Sequence, residues 1–195
     1  EPVFVVPSGN FGNLTAGLLA RLMGLPVRQF VAATNVNDVV PAYLESGRYE
    51  PRPSLPTISN AMDVGAPSNF IRMLEIHQHQ HGLMADRIAG RCFNDDETRA
   101  AIRAVKAATG YVIEPHGAVA YLAAKSWQAD HPGDEMIVLE TAHPSKFLDV
   151  MEEELGEGAV EIPDRLACLA AREKEAVDLP PEEDVFLDWL GQMSG

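Results

Sequence analysis

Apolar residues fall in short runs along this chain, separated by glycine, proline and small polar residues, and the spacing alternates between strand-like and helical. Val3-Phe4-Val5-Val6 is the unbroken apolar run of a strand buried on both faces. A helical pattern then runs from Leu14 to Met23, closed by Gly24, and Val27–Ala33 gives a second strand. This βαβ unit predicts a parallel sheet. Asn37 or Asp38 can cap a short helix that ends at Gly47. Residues 48–67, with Pro51, Pro53, Pro56 and Pro67, predict a long ordered loop. Ser68 or Asn69 can cap a helix that reaches toward Gly82. Asn94-Asp95-Asp96-Glu97 is a capping box for a helix to Thr109, stopped by Gly110. Tyr111–Ile113 reads as a short strand, His116–Ala129 as a helix, Met136–Leu139 as a buried strand and Ser145–Leu155 as a helix. Further helices are expected near Arg165–Ala171 and over Glu182–Leu190. The predicted class is α/β: a three-layer, open, mostly parallel sheet flanked by helices.

Composition narrows the function more than the fold. With 195 residues, 46% of them hydrophobic, the chain can bury a sizeable core. The net charge of −14 is concentrated after residue 148, which divides the chain into 1–155 and an acidic helical extension, 156–195. That sign disfavours nucleic acid, and the apolar runs are too short for a membrane span. Cys92 and Cys168 have no C-x-x-C partner, so neither a disulfide framework nor a zinc knuckle is indicated. A soluble, cytoplasmic protein is expected.

Candidate chemistry gathers where strands give way to helices. Pro-Ser-Gly-Asn-Phe-Gly-Asn (7–13) has the layout of a phosphate cradle. Gly9 and Gly12 let the backbone approach a ligand, Asn13 can cap the following helix, and the free amides there attract an anion. Ala33-Thr34-Asn35-Val36-Asn37-Asp38 occupies the same kind of edge, where ligands of open α/β sheets bind. Asn60, Asp63, Ser68 and Asn69 suit either recognition of a polar ligand or local turn and cap bonds. Thr141, Ser145 and His143 follow a strand and are open to the same two readings, and Glu114-Pro115-His116-Gly117 shares that placement. His77 and His81 would share one helical face, but the surrounding pattern lacks the acidic partner of a zinc helix, and no metal is expected. No Gly-x-Ser-x-Gly elbow, Walker sequence or Cys-His signature supports a hydrolase.

Taken in order, Val-Pro-Ser-Gly-Asn-Phe-Gly-Asn-Leu-Thr-Ala-Gly (6–17), Ala-Thr-Asn-Val-Asn-Asp (33–38), Ile-Ser-Asn-Ala-Met-Asp-Val-Gly (58–65), Pro-Ser-Asn-Phe (67–70), Glu-Pro-His (114–116) and Thr-Ala-His-Pro-Ser-Lys-Phe (141–147) resemble the threonine synthases, fold-type II pyridoxal-phosphate enzymes. The resemblance implies the C-terminal portion of a tryptophan-synthase-beta-like large domain over 1–155. It also implies pyridoxal 5'-phosphate as cofactor, and conversion of O-phospho-L-homoserine and water to L-threonine and phosphate. Ser8, Gly9, Asn10, Phe11, Gly12 and Asn13 would surround the cofactor phosphate, and Thr141 would meet the pyridine nitrogen. Asn60, Asp63, Ser68 and Asn69 would lie on the substrate side. Lys146 would pair with a phosphate or cap locally.

One departure qualifies this expectation. The family's Schiff-base lysine lies in an N-terminal motif resembling Gly-Pro-Thr-x-x-Phe-Lys-Asp, which does not occur here. Lys106, Lys125, Lys146 and Lys174 are the only lysines, and none stands in such a setting. The expectation is therefore a C-terminal part that is inactive alone and partners the N-terminal half of the same enzyme. A non-catalytic phosphate-binding or cofactor-binding domain is the alternative, as is another fold-type II lyase such as a serine or threonine dehydratase.

Overall fold

Val3 and Val5 face one side of the first strand and Phe4 and Val6 the other, and both sides are covered by helices. The computed structural model describes residues 1–170 and 172–193. Four strands, β1 (Val3–Pro7), β2 (Gln29–Thr34), β3 (Ile88–Cys92) and β4 (Met136–Val138), form one sheet in the order β3-β2-β1-β4. Every pairing is parallel: Val3 lies opposite Gln29 and Met136, and Phe30 lies opposite Ile88.

Helix α1 (Gly12–Leu22), α2 (Val39–Ser46), α3 (Phe70–Ile76) and α4 (His81–Ala85) cover one face. There Leu14, Leu18, Tyr43, Phe70, Met73 and Met84 pack with Val6, Phe30 and Ala32. The opposite face receives α6 (Pro115–Asp130), whose Val119, Ala120, Ala123 and Trp127 pack on Val3, Val5, Val31 and Ala33. The alanines bring the helix axis close to the sheet, so the middle layer is dry on both sides, as continuous apolar strands require. A third cluster joins α5 (Asp95–Thr109) to α7 (Leu148–Leu155) through Ile102, Val105, Met151 and Val160.

Two compact units result, Glu1–Glu161 and Ile162–Gly195. The second carries α8 (Asp164–Ala170) and α9 (Glu183–Met193); Ala171, at the end of the expected first helix there, lies outside the described residues.

Several local expectations are corrected. Helix α1 starts at Gly12, with Phe11 and not Asn13 at its N-cap and no side-chain cap bond. Asp38 and Asn69 hold the cap positions of α2 and α3 but form no cap bond, because their side chains are engaged elsewhere. Asp38 pairs with Arg52, and Asn69 donates to the Asn10 carbonyl. The helix after Asn69 stops at Ile76, where Gln78 and His79 turn to positive φ (54° and 57°). His77 and His81 therefore lie on separate helices or turns. Tyr111–Ile113 is no strand but an extended link between the C-cap glycine of α5 and the N-cap of α6. β4 is short and half-exposed because it is the edge of the sheet. β3 was not expected: Ala89-Gly90-Arg91 lacks the apolar run of a strand. Gly90 is needed because a Cβ there would lie 2.7 Å from Pro41 Cα in α2.

Candidate functional site

The turn after β1 is fixed at both ends before it reaches α1. Ser8 is buried, its amide donating to Ala33 O (2.8 Å) and its hydroxyl to Val6 O (2.8 Å). Phe11 drives its ring into the core while its backbone sits in the left-handed region (φ 61°), a conformation that costs a bulky residue about 1–2 kcal/mol. None of the amides from Gly9 to Leu14 donates to an acceptor among the described residues. Gly12 and Asn13 are exposed. Unpaired amides at the start of an 11-residue helix, next to the carboxyl ends of parallel strands, are the donor set that an anion site requires.

Two segments grip this turn. Asn10 Oδ1 accepts from the Ser68 amide (2.6 Å), Asn10 Nδ2 donates to Ser68 Oγ (2.9 Å), and Asn69 Nδ2 donates to Asn10 O (2.9 Å). Ser68 and Asn69 thus hold the cradle's outer edge. On the other side, residues 60–63 press against Gly9, where a Cβ would lie 2.6 Å from Met62 Cα and 2.8 Å from Ala61 O. Only glycine fits there.

The 60–63 segment is ordered by a polar network from the end of β2. Asp63 Oδ1 accepts from Asn35 Nδ2 (2.9 Å), Asn37 Nδ2 (3.2 Å) and Thr57 Oγ1 (2.7 Å), and Oδ2 accepts from the Thr57 amide (2.9 Å). Asp63 is thereby committed to binding two loops together. Asn60 is exposed. With Lys146, Arg99, Thr57 and Phe147 it lines a cavity of about 440 Å³ that the turn at 8–13 does not border. Arg99 is held there by Glu153 and Glu154, so Lys146 is the lining cation without a carboxylate partner among the described residues.

At the carboxyl end of β4, the Leu139 amide donates to Val5 O (3.0 Å), which sets Thr141 beside the strand that carries the cradle. Thr141 is exposed. Glu140 lies against Gly117, and burial of its carboxylate, together with the nearby Glu114, pushes its pKa up to about 7. Its hydrogen bond with Tyr111 acts in the opposite direction. Glu114 caps α6, its Oε1 accepting from the Gly117 amide (2.9 Å) and Oε2 from the His116 amide (2.9 Å) and Nδ1 (2.6 Å). The Glu-Pro-His motif marked this place, but its partner across the site, the Ala61 amide, has no signature in sequence.

Each imidazole of the 77–81 stretch has its own partner: Met73 O (2.7 Å) for His77, Glu75 (2.8 Å) for His79 and Leu44 O (2.9 Å) for His81. No helix among the described residues is long and apolar enough to cross a membrane.

Known proteins resemble this chain in sequence and fold. The family described as pyridoxal-phosphate dependent enzyme matches residues 2–141, and the one described as threonine synthase, C-terminal, matches residues 117–186. Threonine synthase of Haemophilus influenzae is 46% identical over 79% of this chain and 35% of its own length. The crystal structure of threonine synthase from Escherichia coli superposes with a TM-score of 0.84 at 39% identity, covering 99% of this chain and 44% of that one. The crystal structure of PLP-bound threonine synthase from Brucella melitensis gives 0.84 at 31% identity, covering 100% of this chain and 46% of that one. The chain therefore spans less than half the length of these relatives. By its matched residues and its fold, the chain belongs to the threonine synthase family of pyridoxal-phosphate-dependent enzymes.

Proposed function

We propose that this chain is the C-terminal, phosphate-binding part of a threonine synthase that uses pyridoxal phosphate to convert O-phospho-L-homoserine and water into L-threonine and phosphate. The observation that carries the reading is the row of unpaired amides from Gly9 to Leu14, held between residues 60–63 and 68–69. Their number and their place at a helix start fit a phosphate monoester. The cofactor, when bound, supplies an electron sink for carbanionic charge.

In this reading the chain's residues orient that group. The turn from Ser8 to Asn13 binds the phosphate, Asn10 keeps the turn in register through Ser68 and Asn69, and the Thr141 hydroxyl meets the pyridine nitrogen. Asn60 and Lys146 lie on the substrate side, and Asp63 positions Asn60 by fixing its loop. The covalent anchor lysine comes from the N-terminal half of the enzyme, which is the chain's partner, and the cytoplasm is the compartment implied. Coverage of only 35–46% of the relatives supports a second part.

Titrating the chain with pyridoxal phosphate while following backbone amide shifts is expected to move Gly9 to Leu14. Gly9→Ala should abolish the response, because its Cβ cannot fit beside Met62 Cα. With O-phospho-L-homoserine, the chain alone should release no phosphate above a protein-free control. Adding the N-terminal half should restore phosphate and threonine together. Ammonia release from serine or threonine would instead point to a dehydratase, and binding without turnover in the reconstituted protein to a non-catalytic domain.

A further inference from the structure

The cradle is closed on its inner side by a backbone segment, and one buried side chain reaches that segment from a different element. His116 is 4% exposed and Glu114 0%, both at the start of α6. The Ala61 amide donates to His116 Nε2 at 3.2 Å, so this nitrogen carries no proton and the neutral ring holds its hydrogen on Nδ1. That hydrogen is directed at Glu114 Oε2, 2.6 Å away, and Glu114 is itself held by the amides of His116 and Gly117. Phe147 packs on the ring with centroids 4.9 Å apart, which blocks rotation. The tautomer is thus fixed by one partner and read out by the other, the arrangement by which a carboxylate sets a histidine's acceptor.

We propose that Glu114 and His116 form a positioning pair for the phosphate cradle: the helix start holds His116 Nε2 in place, Nε2 holds the Ala61 amide, and Ala61-Met62 supports Gly9. The inference rests on reading residues 8–13 as the cradle. The last two members pass closely: a Cβ on residue 9 would lie 2.6 Å from Met62 Cα and 2.8 Å from Ala61 O. The Asn35-Thr57-Asp63 network holds the segment on both sides, at Ser59 and at Asp63, but bonds neither Ala61 nor Met62. Without the Ala61 bond this middle part has the Met62 side chain in the core and no polar tether to α6. His116 is then a positioning residue, acting on the ligand through the backbone of another loop.

Three measurements test this. Nitrogen shifts of the His116 ring in the wild-type chain should show the neutral Nδ1–H form with Nε2 as acceptor; an Nε2–H ring would overturn the proposal without any variant. Amide exchange should then separate two substitutions. His116→Gln can place its amide oxygen where Nε2 stood, and should keep exchange of the 61–63 amides and the phosphate-induced shifts at Gly9 to Leu14 near wild type. His116→Phe preserves the packing on Phe147 and removes the acceptor; it should speed exchange at 61–63 by about tenfold, the worth of one hydrogen bond, and weaken the phosphate response at Gly9 to Leu14, while β2 and β3 amides stay unchanged. Equal behaviour of the two variants, or acceleration spread evenly over the sheet, would show that His116 only fills space. Inorganic phosphate shifts in the wild type read the cradle separately: no response at Gly9 to Leu14 would reject the cradle while leaving the exchange result to decide the pair.

Discussion

Glu140 is the residue whose ionisation is most disfavoured near the site. Its carboxyl titrates at about 7 in the folded chain against an ordinary value of 4.5, so between those values the folded state keeps a proton that the unfolded state has released. Its stabilising contribution is complete below about pH 4.5 and declines as the pH rises through 7. Glu140→Gln should therefore match the wild type near pH 4 in urea unfolding and exceed it near pH 8 by about 1 kcal/mol, the full shift being reduced by solvent around this partly exposed group. At this scale much of the candidate site could be read from sequence, because Ser-Gly-Asn-Phe-Gly-Asn carries the proposed chemistry in consecutive backbone amides. Asp63 could not. Its four hydrogen bonds come from Asn35, Asn37 and Thr57, and nothing in its neighbours distinguishes a ligand carboxylate from one that ties two loops together.

Helix ends separate local from remote control. Asn94 accepts from the Glu97 amide (3.0 Å) while Glu97 returns a bond to the Asn94 amide (2.9 Å), and the whole device lies within four consecutive residues. Asn94→Ala should cost about 1 kcal/mol in chemical unfolding, with the loss confined in amide exchange to the first turn of α5. Gly47 and Gly110, both in the left-handed conformation, were likewise legible as stops. The caps expected at Asn37, Ser68 and Asn69 failed for the opposite reason. Those side chains bond Leu55 O, Asn10 Oδ1 and Asn10 O, partners that only the tertiary structure brings near. β3 escaped notice on the same grounds, since Gly90 and Arg91 make sense in a strand only once Pro41 of α2 is packed against it.

Across the whole first unit, the order β3-β2-β1-β4 divides the sheet into two histories. β1 and β2 are joined by a single helix, whereas β4 reaches β1 only after the chain has built five further helices and β3. Pairing Val3 with Met136 therefore closes the longest loop in the sheet, and closing it yields a three-residue ladder. The entropy of such a closure must be overcome before any contact rewards it. Assembly is expected to begin at β1-α1-β2 and to add β4 last, so Val31→Ala should slow refolding while Val138→Ala chiefly speeds unfolding. On the proposed function, because Thr141 follows β4 and the cradle follows β1, the nascent chain would own an anion-binding turn well before it could orient a ring above it, and the order in which the molecule matures would be first affinity, then geometry.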